Sequence, residues 1–155
     1  MTPLFTKLNL GDHRDVLVLN APDSFGPELS ALDGVTVRRS AVGVKSVGFM
    51  IAFVKTLAEV EKAAALLPRA AGDAVVWLAY PKGTSKRYKC EFNRDNGWDA
   101  VGAAGFEPVR MVAVDEDWSA LRFRRAEFIK SLTRDPARAK SAAGKARAGK
   151  KPKTV

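Results

Sequence analysis

The sequence predicts an α/β domain built on a mainly parallel sheet and followed by a basic tail. Three observations carry that expectation. Apolar runs of strand length recur at residues 16–19 (VLVL), 47–54 (VGFMIAFV) and 74–80 (AVVWLAY). Between them lie segments with helical apolar spacing, such as Phe25, Leu29 and Leu32. Strands that alternate with helices argue for a parallel sheet covered on both faces. The charge is also unevenly placed. The net charge is +9, yet Arg134, Arg138, Lys140, Lys145, Arg147, Lys150, Lys151 and Lys153 stand against the single acid Asp135 in residues 134–155. Residues 1–133 keep 18 basic and 16 acidic side chains and are nearly neutral. The fold class is therefore a Rossmann-like three-layer sandwich at residues 1–133. Its sheet has five or six strands, mainly parallel, and ends in an antiparallel hairpin. Residues 134–155 form a disordered Lys/Arg/Ala-rich tail, because after Leu132 only Val155 is bulky and apolar and ordering such a segment has no burial to offset its entropy.

Taken in order, Thr2 caps and Pro3 opens a short helix with Leu4, Phe5 and Leu8 inward. Residues 16–19 are a buried strand, and Asn20-Ala21-Pro22-Asp23 is a turn. Phe25, Leu29 and Leu32 mark one helical face, closed by Asp33-Gly34. Residues 35–39 (VTVRR) are a second strand, and the continuous apolar run at 47–54 is a central one. No helix separates these two, so either one strand assignment or their adjacency is wrong. Thr56 and Glu59 form a capping box for a helix that stops before Pro68. The strand at 74–80 ends at Pro81-Lys82-Gly83, and residues 93–104 are expected to be helical, with Trp98 and Val101 inward and Gly105 at the end. Residues 106–114 and 118–125 form the final hairpin, the second with Leu121 and Phe123 on one face and basic residues outward, as suits an edge strand. Residues 127–132 close the domain as a helix or half-turn.

The single cysteine, Cys90, leaves no internal disulfide and no Cys-based metal cluster. Residues 1–11 lack the charged and apolar regions of a signal peptide, and the most apolar run, 47–54, is far short of the roughly 20 residues that span a bilayer. A soluble cytoplasmic protein with no membrane partner is expected.

The strongest candidate site is the loop after residue 80. Lys82, Gly83, Thr84, Ser85, Lys86 and Arg87 combine small hydroxyls and free N–H groups with cations, and can cradle an anion. Open sheets bind ligands outside the carboxyl ends of their strands. The alternative reading is a solvated connection, and the spacing of a P-loop is absent. The turn at 19–24 (LNAPDS) lacks the glycines with which backbone approaches a pyrophosphate, Pro22 removes a donor, and Asp23 repels phosphate. NAD and ATP are disfavoured. Adenosylmethionine is less firmly excluded, since a final antiparallel hairpin also occurs in methyltransferase-like sheets. Asp115-Glu116-Asp117 can hold Mg²⁺ or supply a base, but consecutive residues on an extended chain diverge, which favours a hairpin turn with Trp118 in the core. His13 is a lone histidine in a loop. Cys90 beside Lys89 is either a thiol of lowered pKa or inert. No cofactor and no metal are called for.

Two stretches, VVWLAYPK at 75–82 and AVDEDWSALRFRR at 113–125, carry a W-x-x-x-P-K strand end and a V-D-x-x-W-S-x-L-R-F hairpin. With the opening TPLFTKLNL and the VLNAPDSF turn, the chain over residues 2–125 resembles a bacterial family of small α/β domains to which no function is assigned. The resemblance implies a compact α/β domain and no catalytic residues to carry over. The expected function is a non-enzymatic or accessory domain with a ligand or protein partner of its own. Its basic tail would contact nucleic acid non-specifically by counterion release. The alternative is an enzyme or binding protein for a phosphorylated or nucleotide-like small molecule at the carboxyl edge of the sheet.

Overall fold

The computed structural model describes residues 3–92 and 96–129. The candidate nucleic-acid contacts from Arg134 to Lys153 lie outside the described residues. The architecture within them is a six-stranded sheet with short helices on both faces. Its strands are β1 (Asp15–Leu19), β2 (Thr36–Arg38), β3 (Val47–Phe53), β4 (Ala70–Pro81), β5 (Phe106–Ala113) and β6 (Trp118–Arg125). The sheet order is β2-β1-β3-β4-β6-β5. β1 pairs in parallel with β2 and β3, and β3 pairs in parallel with β4. β6 runs antiparallel to both β4 and β5.

This order resolves the missing crossover helix. β2 and β3 flank β1 on opposite sides, so both strands exist and only their adjacency fails. The connection between them is held by Arg69, whose Nη1 donates to the carbonyls of Ala41 (3.3 Å) and Val44 (3.0 Å). The order also corrects the placing of 118–125 at the sheet edge. β6 is inserted between β4 and β5, and β5 is the edge. The partial alternation of WSALRFRR was misleading because both of its faces are covered. Leu121 and Phe123 enter one core, while Trp118 and Ala120 enter the other.

Each core forms because the strand side chains alternate between faces. On one face Met50, Ala52, Val76, Leu78 and Tyr80 pack against α3 (Leu57–Ala64) and α4 (Asp99–Ala103). On the other Val18, Phe49, Ile51, Phe53 and Trp77 pack against α1 (Pro3–Lys7) and α2 (Gly26–Ser30). Trp77 is fully buried, as its place in a central strand predicts, and its Nε1 donates to the Leu8 carbonyl at 2.8 Å. This bond fixes the end of α1 on the sheet.

α3 starts where the capping box places it. Thr56 Oγ1 accepts from the Glu59 N–H (3.1 Å), and Glu59 Oε1 accepts from the Thr56 and Lys55 N–H groups (3.2 and 2.7 Å). α4 is shorter than its expected span of 93–104. Its one full turn ends at Gly105, whose φ of +90° suits glycine and whose carbonyl accepts from the Ala126 N–H at 2.9 Å. No helix among the described residues is long and apolar enough to cross a membrane.

Candidate functional site

The carboxyl ends of the parallel strands gather the loops after β1, β3, β4 and β5 on one edge of the sheet. Chain direction and sheet order alone dictate this. The loop after β4, residues 82–89, is pinned to the turn between β5 and β6. The Lys82 N–H donates to the Asp117 carbonyl at 2.8 Å, and the Ser85 hydroxyl donates to Asp117 Oδ1 at 2.9 Å. That same hydroxyl accepts from the N–H groups of Arg87 (3.3 Å) and Tyr88 (3.2 Å). Ser85 is thus engaged in shaping the loop and has little left to offer a ligand. Lys86, Arg87, Gly83 and Thr84 are exposed and Lys82 is half-buried. Lys82, Lys86 and Arg87 form no ion pair among the described residues.

Aromatic side chains run along this edge beneath the loops. Phe25 meets Phe53 edge-on at 4.9 Å between ring centroids, Phe53 meets Trp118 at 5.1 Å, and Trp118 meets Tyr88 at 4.9 Å. Lys55 Nζ lies 5.5 Å from the Tyr88 ring centroid, within cation–π range. The indole Nε1 of Trp118 is buried without a hydrogen-bond partner. A half-buried tyrosine ring with a lysine over it is a pairing that suits a planar ligand carrying negative charge.

The acidic run 115–117 serves the turn. Asp115 Oδ1 accepts from the N–H groups of Asp117 (2.8 Å) and Trp118 (2.9 Å), and Asp115 Oδ2 receives a long bond from the Ser24 hydroxyl at 3.5 Å. No cluster of three or more potential metal ligands occurs among the described residues. His13 is half-buried, its ring 6.1 Å from that of Phe49. Burial, above all, raises the Cys90 thiol above its ordinary value, and the neighbouring Glu91 and Glu59 charges add to this against a bond from the Phe92 backbone. This direction is opposite to the lowered pKa that the neighbouring Lys89 suggests.

The turn after β1 is also filled. Asn20 adopts a left-handed conformation (φ 58°), and its Nδ2 donates to the Phe53 carbonyl across to β3 at 3.4 Å. Residues Asp23–Phe25 form a 3₁₀ turn that buries Phe25, 2% exposed, against Phe5 and Phe53. Two cavities lie away from the β4 loop. One of about 180 Å³ opens at the amino ends of β1 and β3 beside residues 43–46. The other, about 400 Å³, lies between α3 and α4 over Val60, Phe92 and Ala100. Sequence reasoning missed the tie between Ser85 and Asp117, 32 residues apart, and the role of Tyr88. The cation–aromatic succession in Lys86-Arg87-Tyr88-Lys89 was the available signal for the latter.

No protein-family model matches the chain, and no curated protein matches it. Solved structures do. The N-methyltransferase NodS from Bradyrhizobium japonicum WM9 superposes with a TM-score of 0.50 and 11% identity, over 77% of this chain and 91% of that one. A second NodS structure, in complex with S-adenosyl-L-homocysteine, gives 0.48 at 10% identity over 80% and 88%. The pyocyanin biosynthetic protein PhzM gives 0.47 at 14% identity over 79% and 54%. The likeness to NodS establishes the fold as a methyltransferase-like variant of the Rossmann sandwich. It also corrects the expectation of a non-enzymatic accessory domain working through its tail. The fold is one that an enzyme, NodS, uses.

Proposed function

We propose that the domain binds a phosphorylated or nucleotide-like small molecule at the carboxyl edge of its sheet, between the β4 loop and the end of β3. The observation that carries this is the cation–aromatic contact of Lys55 with Tyr88, on whose loop Lys82, Lys86 and Arg87 also stand and which is pinned through Ser85 and Asp117. Lys82 and Arg87 meet the phosphate, and the Tyr88 ring stacks with a base or another planar group. Open α/β sheets place ligands at this edge, and the shared fold supports reading the site as an enzyme's.

Because NodS is an N-methyltransferase, methyl transfer is the first reaction to weigh, and an adenosyl cofactor the first group to fit. The residues here do not fit it at the switch point between β1 and β3. A ligand there needs glycine backbone close to it and a carboxylate near the end of β2 for ribose. The chain has Pro22 and a buried Phe25 in the first place. In the second it has Arg38, whose Nε is paired with Asp15 Oδ1 at 2.9 Å. The cytoplasm is the compartment we assign, on the lone unpaired thiol.

The test is a thermal-shift screen of the full-length chain against nucleotides, sugar phosphates and adenosyl compounds, repeated in Lys82→Ala and Arg87→Ala. A phosphorylated compound should raise Tm, by about 2.7 kcal/mol of added stability at a hundredfold excess over Kd. The rise should shrink in both variants. A screen in which no phosphorylated compound acts, or in which the variants respond as the parent does, removes the reading.

A further inference from the structure

We infer that Arg110 and Arg122 form a second binding site, for a doubly charged tetrahedral oxyanion such as the phosphate monoester of a small ligand, on the α1 face of the sheet. The two residues are direct cross-strand partners of β5 and β6. Residues opposite one another in a strand pair project to the same face, here the face that also holds Val112 and Ala120. Like charges in this relation destabilise a sheet, so two arginines are an expensive choice unless something negative joins them.

Nothing among the described residues does. Arg122 is half-buried, and its Nε is sealed from solvent without a hydrogen-bond partner. The carboxylate that acts on Arg122, Asp73, is already held bidentately by Arg124 at 2.7 and 2.6 Å. Glu107, fully buried and opposite Arg124 in the register, has an interaction of its own. Arg110 is exposed, and its Nη1 donates to the neutral Asn9 Oδ1 at 3.0 Å, which orients the guanidinium and leaves its charge uncompensated. Burial, with Arg124 and Arg110 nearby, lowers the Arg122 pKa, as expected of a cation short of a counter-ion.

Two guanidinium forks match the oxygens of a phosphate, and a dianion balances both charges where a carboxylate balances one. Both strands are rigid sheet elements, so the site is pre-organised. Arg122 is four residues along β6 from Trp118, about 13 Å at the rise of a strand. The site is therefore separate from the carboxyl edge and stands or falls independently of the function proposed there.

The test follows arginine Nε–Hε resonances of the full-length chain by NMR while inorganic phosphate is titrated at constant ionic strength, with chloride as the control. The Arg122 signal should shift saturably with phosphate and stay still with chloride. Arg110→Gln should weaken that response about tenfold, the equivalent of 1.4 kcal/mol. A short oligonucleotide serves as the phosphodiester arm and should bind at Arg122 more weakly than phosphate. Shifts confined to other arginines, or an unchanged Arg122 response in Arg110→Gln, would overturn the site. An oligonucleotide that matched phosphate at Arg122 would overturn the monoester assignment.

Discussion

Trp77 and Trp118 offer a matched pair for testing how this core treats polar atoms. Both are at most 2% exposed, both sit on the α1 face, and both contact other elements across the sheet. They differ in one respect. The Trp77 indole N–H is bonded to the Leu8 carbonyl at 2.8 Å, and the Trp118 indole N–H has no partner. Replacing either with phenylalanine removes a similar volume, so the cavity costs roughly cancel in the comparison. Trp77→Phe also leaves a buried carbonyl unsatisfied, at about 1–3 kcal/mol. Trp118→Phe instead removes an unsatisfied donor and recovers a similar amount. The two variants should differ in stability by about 2–6 kcal/mol, with Trp77→Phe the weaker. Urea unfolding measures this through the midpoint at constant slope. In thermal unfolding the gap corresponds to about 6–18 °C, at roughly 3 °C per kcal/mol for a domain of this size. Equal losses, or a larger loss in Trp118→Phe, would refute the assignment of bonded and unbonded indoles.

Two further outcomes follow from titratable groups. The Arg124 hydrogen bonds, foremost, hold the Asp73 carboxyl below its ordinary value, opposed by partial burial. Its folded pKa is therefore lower than its unfolded one. The contact stabilises at neutral pH and is lost as pH falls from about 4. The pair is about a third exposed, so screening limits it to roughly 0.2–1 kcal/mol. Asp73→Asn should remove that much of the acid-induced loss in urea titrations run between neutral and acidic pH. Cys90, with its raised pKa, should react with a thiol reagent at mildly alkaline pH more slowly than free cysteine. Its rate–pH profile should have its midpoint above the ordinary thiol value, and a midpoint below it would contradict the burial argument.

The strands were legible in the sequence because each parallel strand buried on both faces leaves a continuous apolar run. VGFMIAFV and AVVWLAY cannot be exposed on either side, and they are β3 and most of β4. The capping box at Thr56 was equally plain, since its two partners lie three residues apart. Strand order was not legible. Nothing local in WSALRFRR distinguishes an edge from an interior position, because Arg122 and Arg124 look outward-facing until β5 is known to lie beyond them. The α4 segment was over-extended because Trp98 and Val101 carry the apolar signal, while Gly97, with φ 89°, breaks the helix before it. At the candidate site, the basic loop was visible as composition, but its shape depends on Asp117. The pairing of Arg110 with Arg122 was hidden for a similar reason. It needs both the register and the irregularity between Pro108 and Arg110 that shifts it.

The insertion of β6 between β4 and β5 has a consequence for how the domain assembles. β5 precedes β6 in the chain yet contacts the rest of the sheet through it. Until residues 118–125 have paired with β4, β5 has no neighbouring strand to join, although every one of its residues has been synthesised. Completion of the sheet therefore waits on the last strand, a non-local event of the kind that slows folding. A nascent or truncated chain ending before Trp118 would present β4 as an open apolar edge, the state most exposed to self-association. Assembly of this domain is thus governed from its carboxyl-terminal strand rather than from the order in which its strands emerge.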